Sequence, residues 1–262
     1  MIKINHLSVK YHDGNQVIND LDLMIKKGET VGIIGANGAG KSTLLMSLVG
    51  ILFPSEGSIE IDTILLGKEK LHELRKRTGF VFQNPDDQLF MSNVYDDIAF
   101  GLRNQGLPEE NIKQKITRII EELGVEKLQH LNSHKLSGGE KRIIAIATVL
   151  VMEPSVVLFD EPSSFLDPKT RRRLIHLLRD LELTKVIATH DLDMALELCD
   201  RIVVLKEGKI YAQGSTKDIL TNQSLLEEAE LELPFCLQRI DLNKEMEACG
   251  NRSKNDACKD KI

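Results

Sequence analysis

Residues 30–43 read TVGIIGANGAGKST, and this stretch decides the fold. Its first six residues form a short, continuously apolar run, the pattern of a strand buried inside a sheet. A glycine-rich turn follows at once, then an apolar-periodic helix expected from Ser42 to Val49. Gly35, Gly40, Lys41 and Ser42 fit the spacing G-x-x-x-x-G-K-[ST] without a mismatch, in the strand–turn–helix setting that this motif requires. The glycines let successive backbone N–H groups turn inward as an anion nest, and the helix N-terminus adds partial positive charge. Gly35, Asn37, Gly38, Ala39, Gly40, Lys41, Ser42 and Thr43 are therefore the expected phosphate cradle. Lys41 is expected to reach the outer phosphates, and Ser42 to bind Mg²⁺.

Outward from this loop, residues 1–34 read as β structure. Apolar residues alternate through Ile2 and Ile4 and again through Leu7, Val9 and Tyr11, and HDGN at 12–15 is a hairpin turn. GSIEID, TILLG and TGFVFQ read as further short strands. From about residue 93 to 150 the pattern turns helical, with EENIKQKITRIIEEL strongly amphipathic. Beyond it, strand-like SVVLFDEP and KVIATH alternate with helix-like KTRRRLIHLLRDL and DLDMALELC, and RIVVLKEGKIYAQG reads as a hairpin. This alternation predicts an α/β fold: a P-loop NTPase core with a mostly parallel sheet. An N-terminal antiparallel β subdomain precedes the core, and a helical subdomain at about 93–150 is inserted in it. Past residue 230 the apolar pattern fades, so residues 1–230 are expected to form the domain and 231–262 a mobile tail.

Composition narrows the class. With 262 residues, 42% hydrophobic and 28% charged, the chain reads as soluble and globular. A net charge of −6 argues against a nucleic-acid binder, which carries a basic surface. No apolar run approaches the roughly 18 residues of a membrane span. MIKINHLSVKY has no apolar core of a secretory signal. A cytosolic protein is expected, with any membrane role exerted through a partner. Cys199, Cys236, Cys249 and Cys258 form no C-x-x-C pair and are read as packing or exposed thiols.

Three further elements carry chemistry. Val156 to Phe159 make a buried strand that ends in Asp160 and Glu161. Asp160 suits Mg²⁺, which keeps several waters and takes few carboxylates, and Glu161 stands where a carboxylate can activate water. His190 and Gln83 also end strands, where ligands collect in open α/β sheets; His190 is a candidate γ-phosphate contact and Gln83 a third Mg²⁺ donor. Finally, Leu136-Ser137-Gly138-Gly139-Glu140 opens the helix KRIIAIATVLV and makes a second anion site far from the first.

Taken in order, Tyr11, GANGAGKST, Gln83, LSGGE, VVLFDEP, SSFLDP and His190 resemble the ATP-binding-cassette ATPases over roughly residues 1–220. The resemblance implies that Tyr11 stacks on adenine, that Glu161 is the catalytic base and that His190 is the γ-phosphate switch. It implies that two cassettes pair head to tail, so that Leu136, Ser137, Gly138, Gly139 and Glu140 act in trans on the partner's phosphate loop. Ser163, Leu166 and Asp167 belong to the loop that joins the two active sites across the dimer. ATP is then both substrate and dimer glue.

Residues 80–102, FVFQNPDDQLFMSNVYDDIAFGL, resemble the energy-coupling-factor importers, especially their cobalt/nickel branch. That likeness implies an ATPase at the cytoplasmic face of the membrane, peripheral to it. It would pair with itself or a paralogous ATPase and bind an integral membrane coupling subunit, beside a substrate-binding membrane component. Leu89, Phe90 and Met91 are the expected apolar anchors, with Asp86, Asp87 and Gln88 marking a surface loop. A vitamin-type importer and a soluble cassette ATPase with a non-transport partner are the competing readings. Two residues depart from the common pattern: Glu140 stands where most cassettes carry Gln, and Phe165 is an uncommon choice at a dimer seam. His130 and His134, at i and i+4, fall in a stretch that reads as loop.

Overall fold

The computed structural model describes residues 1–238 and contains two sheets. In the first, β1 (Ile2–Lys10), β2 (Gln16–Ile25), β4 (Glu56–Ile61) and β5 (Ile64–Leu65) pair antiparallel in the order β2-β1-β4-β5. The second comprises β3 (Thr30–Ile34), β6 (Thr78–Val81), β7 (Val156–Asp160), β8 (Thr184–Ala188), β9 (Arg201–Lys206) and β10 (Lys209–Ser215), in the order β10-β9-β3-β8-β7-β6. All its pairs are parallel except the β9–β10 hairpin. The predicted core and antiparallel N-terminal unit are thus both present.

Helix α1 (Lys41–Leu48) follows β3, and α2 (Leu71–Arg77) precedes β6. Helices α3 (Val94–Asn104), α4 (Glu109–Leu123) and α5 (Gly138–Leu150) form the helical block. Beyond it lie α6 (Pro168–Asp180), α7 (Leu192–Leu198), α8 (Thr216–Leu220) and α9 (Gln223–Glu228).

The central strands are buried on both faces, and their period-2 alternation divides the core in two. Val156 and Leu158 of β7 join α1 and the antiparallel sheet, whereas Val157 and Phe159 join the helices on the opposite side. Pairing aligns the strand ends: Ile33 and Asp160 both lie opposite Ala188. Thr189 N–H donates to Ile33 O at 3.0 Å. The residues that follow β3, β7 and β8 therefore converge on one edge of the sheet, where ligands bind in open α/β folds.

The structure departs from expectation in three places. TILLG gives a strand of only two residues, and the charged run after it, read as no helix, forms α2 around a single buried side chain, Leu74. One apolar contact in two turns leaves no period to read. α8 and α9 were likewise not anticipated. Residues 231–238, assigned to the tail, lie against α7: Leu231 and Leu233 pack on the core, and Asp193 accepts from the N–H groups of Phe235 and Cys236 at 3.0 Å each. The rest of the expected tail, with Cys249 and Cys258, lies outside the described residues.

Candidate functional site

The phosphate loop wraps the N-terminus of α1. Gly40 caps the helix in the left-handed region at φ 103°, and a Cβ there would meet Ile18 Cδ1 at 2.8 Å, so only glycine fits. Lys41 is buried, and its Nζ donates to Gly35 O (2.8 Å) and Ala36 O (3.2 Å). Burial pulls its pKa down, while the Glu161 and Asp160 carboxylates push it back up. Ser42 Oγ donates to Asp160 Oδ1 at 3.0 Å. Asp160 is itself buried, and that burial raises its carboxyl pKa despite the Ser42 hydrogen bond. A hydroxyl and a buried carboxylate held together are hard oxygen donors suited to Mg²⁺.

Glu161 follows at φ 46°, a conformation costly for a residue with a Cβ. Its N–H is anchored on Ala188 O at 2.8 Å, and its buried carboxylate accepts from His190 N–H at 3.1 Å. His190 Nδ1 lies 2.7 Å from Glu161 Oε2, and the ring is otherwise 64% exposed. One edge of the imidazole is thus committed to Glu161, and the rest of the ring is open. That cleft, about 540 Å³, is lined by Tyr11, the phosphate loop, Gln83, Glu161 and His190. Tyr11 stands half-exposed at its lip, with its hydroxyl 3.1 Å from Thr43 Oγ1. One wall of one chain therefore gathers Tyr11, Lys41, Ser42, Thr43, Gln83, Asp160, Glu161 and His190.

The second anion element stands apart from it. Ser137 N-caps α5 and Glu140 completes a capping box: Ser137 N–H and Oγ donate to Glu140 Oε2 at 2.8 and 2.7 Å, and Glu140 N–H returns to Ser137 Oγ at 3.4 Å. These bonds hold the Glu140 carboxyl below the usual range. Glu140, the departure from the common pattern, keeps the capping role that a Gln could also fill. Ser137 and Gly138 are exposed, Leu136 is buried, and none of these residues lines the cleft. Gly139 packs on α6, where a Cβ would meet Thr170 Cγ2 at 2.6 Å.

In the loop after Glu161, Ser163 is buried and donates to Asp191 Oδ2 at 3.0 Å, and Arg171 clasps Asp191 at 2.6 and 2.7 Å. Leu166 packs on the core, and Asp167 caps α6.

Sequence reasoning missed how Gln83 and the residues after it are held. Arg142, 1% exposed, donates to Phe82 O (2.6 Å) and Gln83 O (2.5 Å), while its Nε has no partner among the described residues. Burial pushes its pKa down to about 10. A charged residue at a buried position of an apolar-periodic helix was the available sign. Gln88, read as a surface marker, is a half-buried brace that accepts from Phe82 N–H and donates to Ala145 O and Thr148 Oγ1. Of the three expected anchors, Leu89 is 3% exposed and belongs to the core, Met91 is half-buried, and only Phe90, at 60%, is open. Its ring meets Phe100 edge to face at 4.9 Å, beside an apolar groove that includes Ile51, Phe80 and Phe82. His130 and His134 are both exposed.

Residues 18–164 match the family described as ABC transporter. The energy-coupling factor transporter ATP-binding protein EcfA1 of Mycoplasmopsis synoviae is 42% identical over 241 residues, covering 90% of each chain. Among solved structures, cbiO1 of Clostridium perfringens, described as part of the ABC transporter complex cbiONQ, matches with a TM-score of 0.77 at 39% identity, over 89% of this chain and 95% of that one. The ATP-binding cassette MJ0796, a dimer in a post-hydrolysis state with ADP and Pi, matches with a TM-score of 0.75 at 28% identity, over 82% and 99%. The phosphate loop, the acid pair at the end of β7 and these matches define the class: this is an ABC cassette ATPase. Within that class the chain belongs to the energy-coupling-factor ATP-binding proteins. No helix among the described residues is long and apolar enough to cross a membrane.

Proposed function

We propose that this chain hydrolyses ATP to power an energy-coupling-factor importer for cobalt or nickel, as a peripheral subunit on the cytoplasmic face of the membrane. The observation that carries the catalytic part is the convergence of Lys41, the Ser42–Asp160 pair and the Glu161–His190 pair on one cleft. Tyr11 offers its ring to adenine. The loop amides and Lys41 take the β and γ phosphates; Lys41 is held by two carbonyls that a phosphate can replace. Ser42 and Asp160, with Gln83, would hold Mg²⁺, which neutralises phosphate charge when bound. Glu161 accepts the proton of the attacking water, and His190, fixed on Glu161, turns its free edge to the γ-phosphate.

The site is completed by the signature of a second cassette, identical or paralogous. Ser137 and Gly138, exposed at the start of α5, supply a second anion site with the half-buried Gly139 amide, and hydrogen bonds to charged groups contribute roughly 1.5–3 kcal/mol each. A few such bonds at two sites shift a monomer–dimer equilibrium by orders of magnitude. The groove beside Phe90 and Phe100 suits an apolar helix of the membrane coupling subunit. The cargo reading rests on the sequence of residues 80–102 and the likeness to cbiO1; the substrate-binding membrane component would select the ion.

Glu161→Gln tests the catalytic assignment. It keeps the size and loses the base, so ATP binding should persist, turnover should fall at least about 100-fold, and light scattering should show an ATP-dependent dimer. A variant that turns over normally refutes the catalytic assignment; one that stays monomeric with ATP refutes an identical partner and leaves the paralogous one. Uptake of ⁵⁷Co²⁺ or ⁶³Ni²⁺ by the reconstituted complex tests the cargo.

A further inference from the structure

The start of α3 is a junction. Asn93 caps the helix, and its first N–H groups, which an isolated helix leaves unpaired, go to a neighbouring loop: Val94 N–H donates to Leu131 O at 3.1 Å and Tyr95 N–H to Gln129 O at 3.0 Å. Asp97, in the same first turn, is 5% exposed. Its neighbour Asp96 pairs with Arg103 at the surface, but among the described residues Asp97 meets three hydrogen-bond donors and no cation. Oδ1 accepts from the N–H groups of Phe90 and Met91 at 3.0 and 2.9 Å, and Oδ2 accepts from Ser133 Oγ at 2.5 Å. The positive end of the helix favours a carboxylate at this place.

The donors come from two separate segments. Among the described residues, no backbone hydrogen bond joins Phe90 or Met91 to residues 128–137. The Phe90 ring stands open beside the apolar groove, whereas Ser133 is 1% exposed and lies four residues before Ser137. Only a tight turn separates the two serines, with Leu136 N–H on Ser133 O at 3.4 Å and the Leu136 side chain buried. A buried carboxylate costs desolvation energy, and packing alone does not call for one. What this one supplies, and an apolar side chain does not, is a rigid tie between the groove segment and the signature.

We propose that Asp97 is a positioning residue that joins the surface offered to the membrane coupling subunit to the signature offered to the second cassette. Each of its oxygens holds one segment, so the two surfaces move as one body. Helix α5 grips only the Phe82–Gln88 part of the groove segment; Asp97 secures its Phe90 end. The inference rests on the head-to-tail reading and the groove contact proposed above, and it names the residue that connects them.

The test uses the full chain with Glu161→Gln, in the complex it forms with its membrane subunit and partner cassette, purified in detergent and carrying p-trifluoromethylphenylalanine at position 90. In this parent complex, Mg-ATP should be retained through desalting and should shift the fluorine NMR signal. Asp97→Ala would strand three donors, so the milder Ser133→Ala, which removes one arm of the tie, carries the test. The Ser133→Ala chain should unfold within about 10 °C of the parent, one hydrogen bond being lost. Its complex should still retain ATP, while the shift at position 90 shrinks at least about twofold. Asp97→Asn keeps an acceptor for the two N–H groups and an amide that can donate to Ser133 Oγ, so it should show the parent's shift. A parental shift in Ser133→Ala, or a larger loss of unfolding temperature, overturns the inference. An Asp97→Asn complex whose shift is as small as that of Ser133→Ala does so too. ATP retained by the parent without any shift at position 90 overturns the inference and leaves the closed-dimer reading standing. A parent complex that retains no ATP overturns both.

Discussion

Arg142→Met distinguishes a residue that holds the fold from one that holds the site. The guanidinium makes two hydrogen bonds to backbone carbonyls, at 2.6 and 2.5 Å, which at about 1.5–3 kcal/mol each give a gross 3–6 kcal/mol. Against this stand the desolvation that pushes its pKa down to about 10 and an Nε without a partner among the described residues, itself a cost of about 1–3 kcal/mol or more. Methionine fills similar volume without charge, and exchanging a buried ion for an apolar isostere is often close to neutral. Gln83 is exposed and Phe82 half-exposed, so water can reach the released carbonyls. The net loss of stability should therefore stay within about 2 kcal/mol, or roughly 4–8 °C in Tm. Activity should respond far more. Gln83 and the loop after it lose the clamp that sets their distance from Asp160, and a misplacement of about 1 Å in a reacting array costs on the order of 100-fold in rate. Calorimetry and steady-state ATP hydrolysis on the same preparation check this, with ATP affinity expected near the parent's because Tyr11 and the phosphate loop are untouched. Normal turnover would refute the positioning argument. A Tm drop beyond about 10 °C, with activity lost only in proportion to unfolded protein, would show that Arg142 merely holds the core.

Asp160→Asn should abolish Mg²⁺-dependent hydrolysis yet stabilise the free protein at neutral pH. Burial raises the Asp160 pKa above its unfolded value, so its stabilising contribution is full below the ordinary aspartate range and is lost as pH rises through the folded value; Tm measured from pH 4 to 8 should decline less steeply in the variant. Glu140→Ala should remove half of the capping box and lower stability by about 1 kcal/mol in urea unfolding, whereas Glu140→Gln, which can reach the same backbone N–H, should stay within about 0.5 kcal/mol. The Glu140 carboxyl is held below its usual pKa by Ser137, so its contribution is present above the ordinary glutamate range and fades only as pH falls through the folded value. Ser137→Arg should leave nucleotide binding by the monomer intact and block ATP-dependent dimerisation in light scattering; normal hydrolysis by this variant would refute the head-to-tail arrangement.

The fold was legible wherever sequence pattern and physical cause coincide. The run into GANGAGKST, the four apolar residues before Asp160 and the strand before His190 are buried on both faces, so their composition alone marks them as central strands. The convergence of their ends follows from parallel pairing. What stayed hidden was support of a kind that leaves no periodicity. α2 buries only Leu74, and Arg75 ties it to the Val49 and Gly50 carbonyls. Gln88 and Arg142 are polar residues that hold a loop from inside, and polar composition reads as surface. The strap at 231–238 is held by two backbone bonds to Asp193, a side chain some forty positions earlier, and local sequence cannot report so distant a partner.

Helix α5 joins these hidden supports. Thirteen residues at 1.5 Å each make a rod of about 20 Å. At its tip stands exposed Ser137; along its side, Lys141 pairs with Asp86 at 2.6 Å, Arg142 grips the Phe82 and Gln83 carbonyls, and Ala145 O and Thr148 receive Gln88. The Lys141–Asp86 pair involves an exposed carboxylate and carries little energy. The contacts of Arg142 and Gln88 are sheltered, so the linkage depends on them. Asp97 of α3 then fixes the Phe90 and Met91 N–H groups at 3.0 and 2.9 Å, so the segment that ends in the open Phe90 ring is held at both ends. In the head-to-tail arrangement proposed above, a displacement imposed on Ser137 by a second cassette would reach Phe90 through one helix and two side chains. No unbraced loop lies between them in which the movement could dissipate.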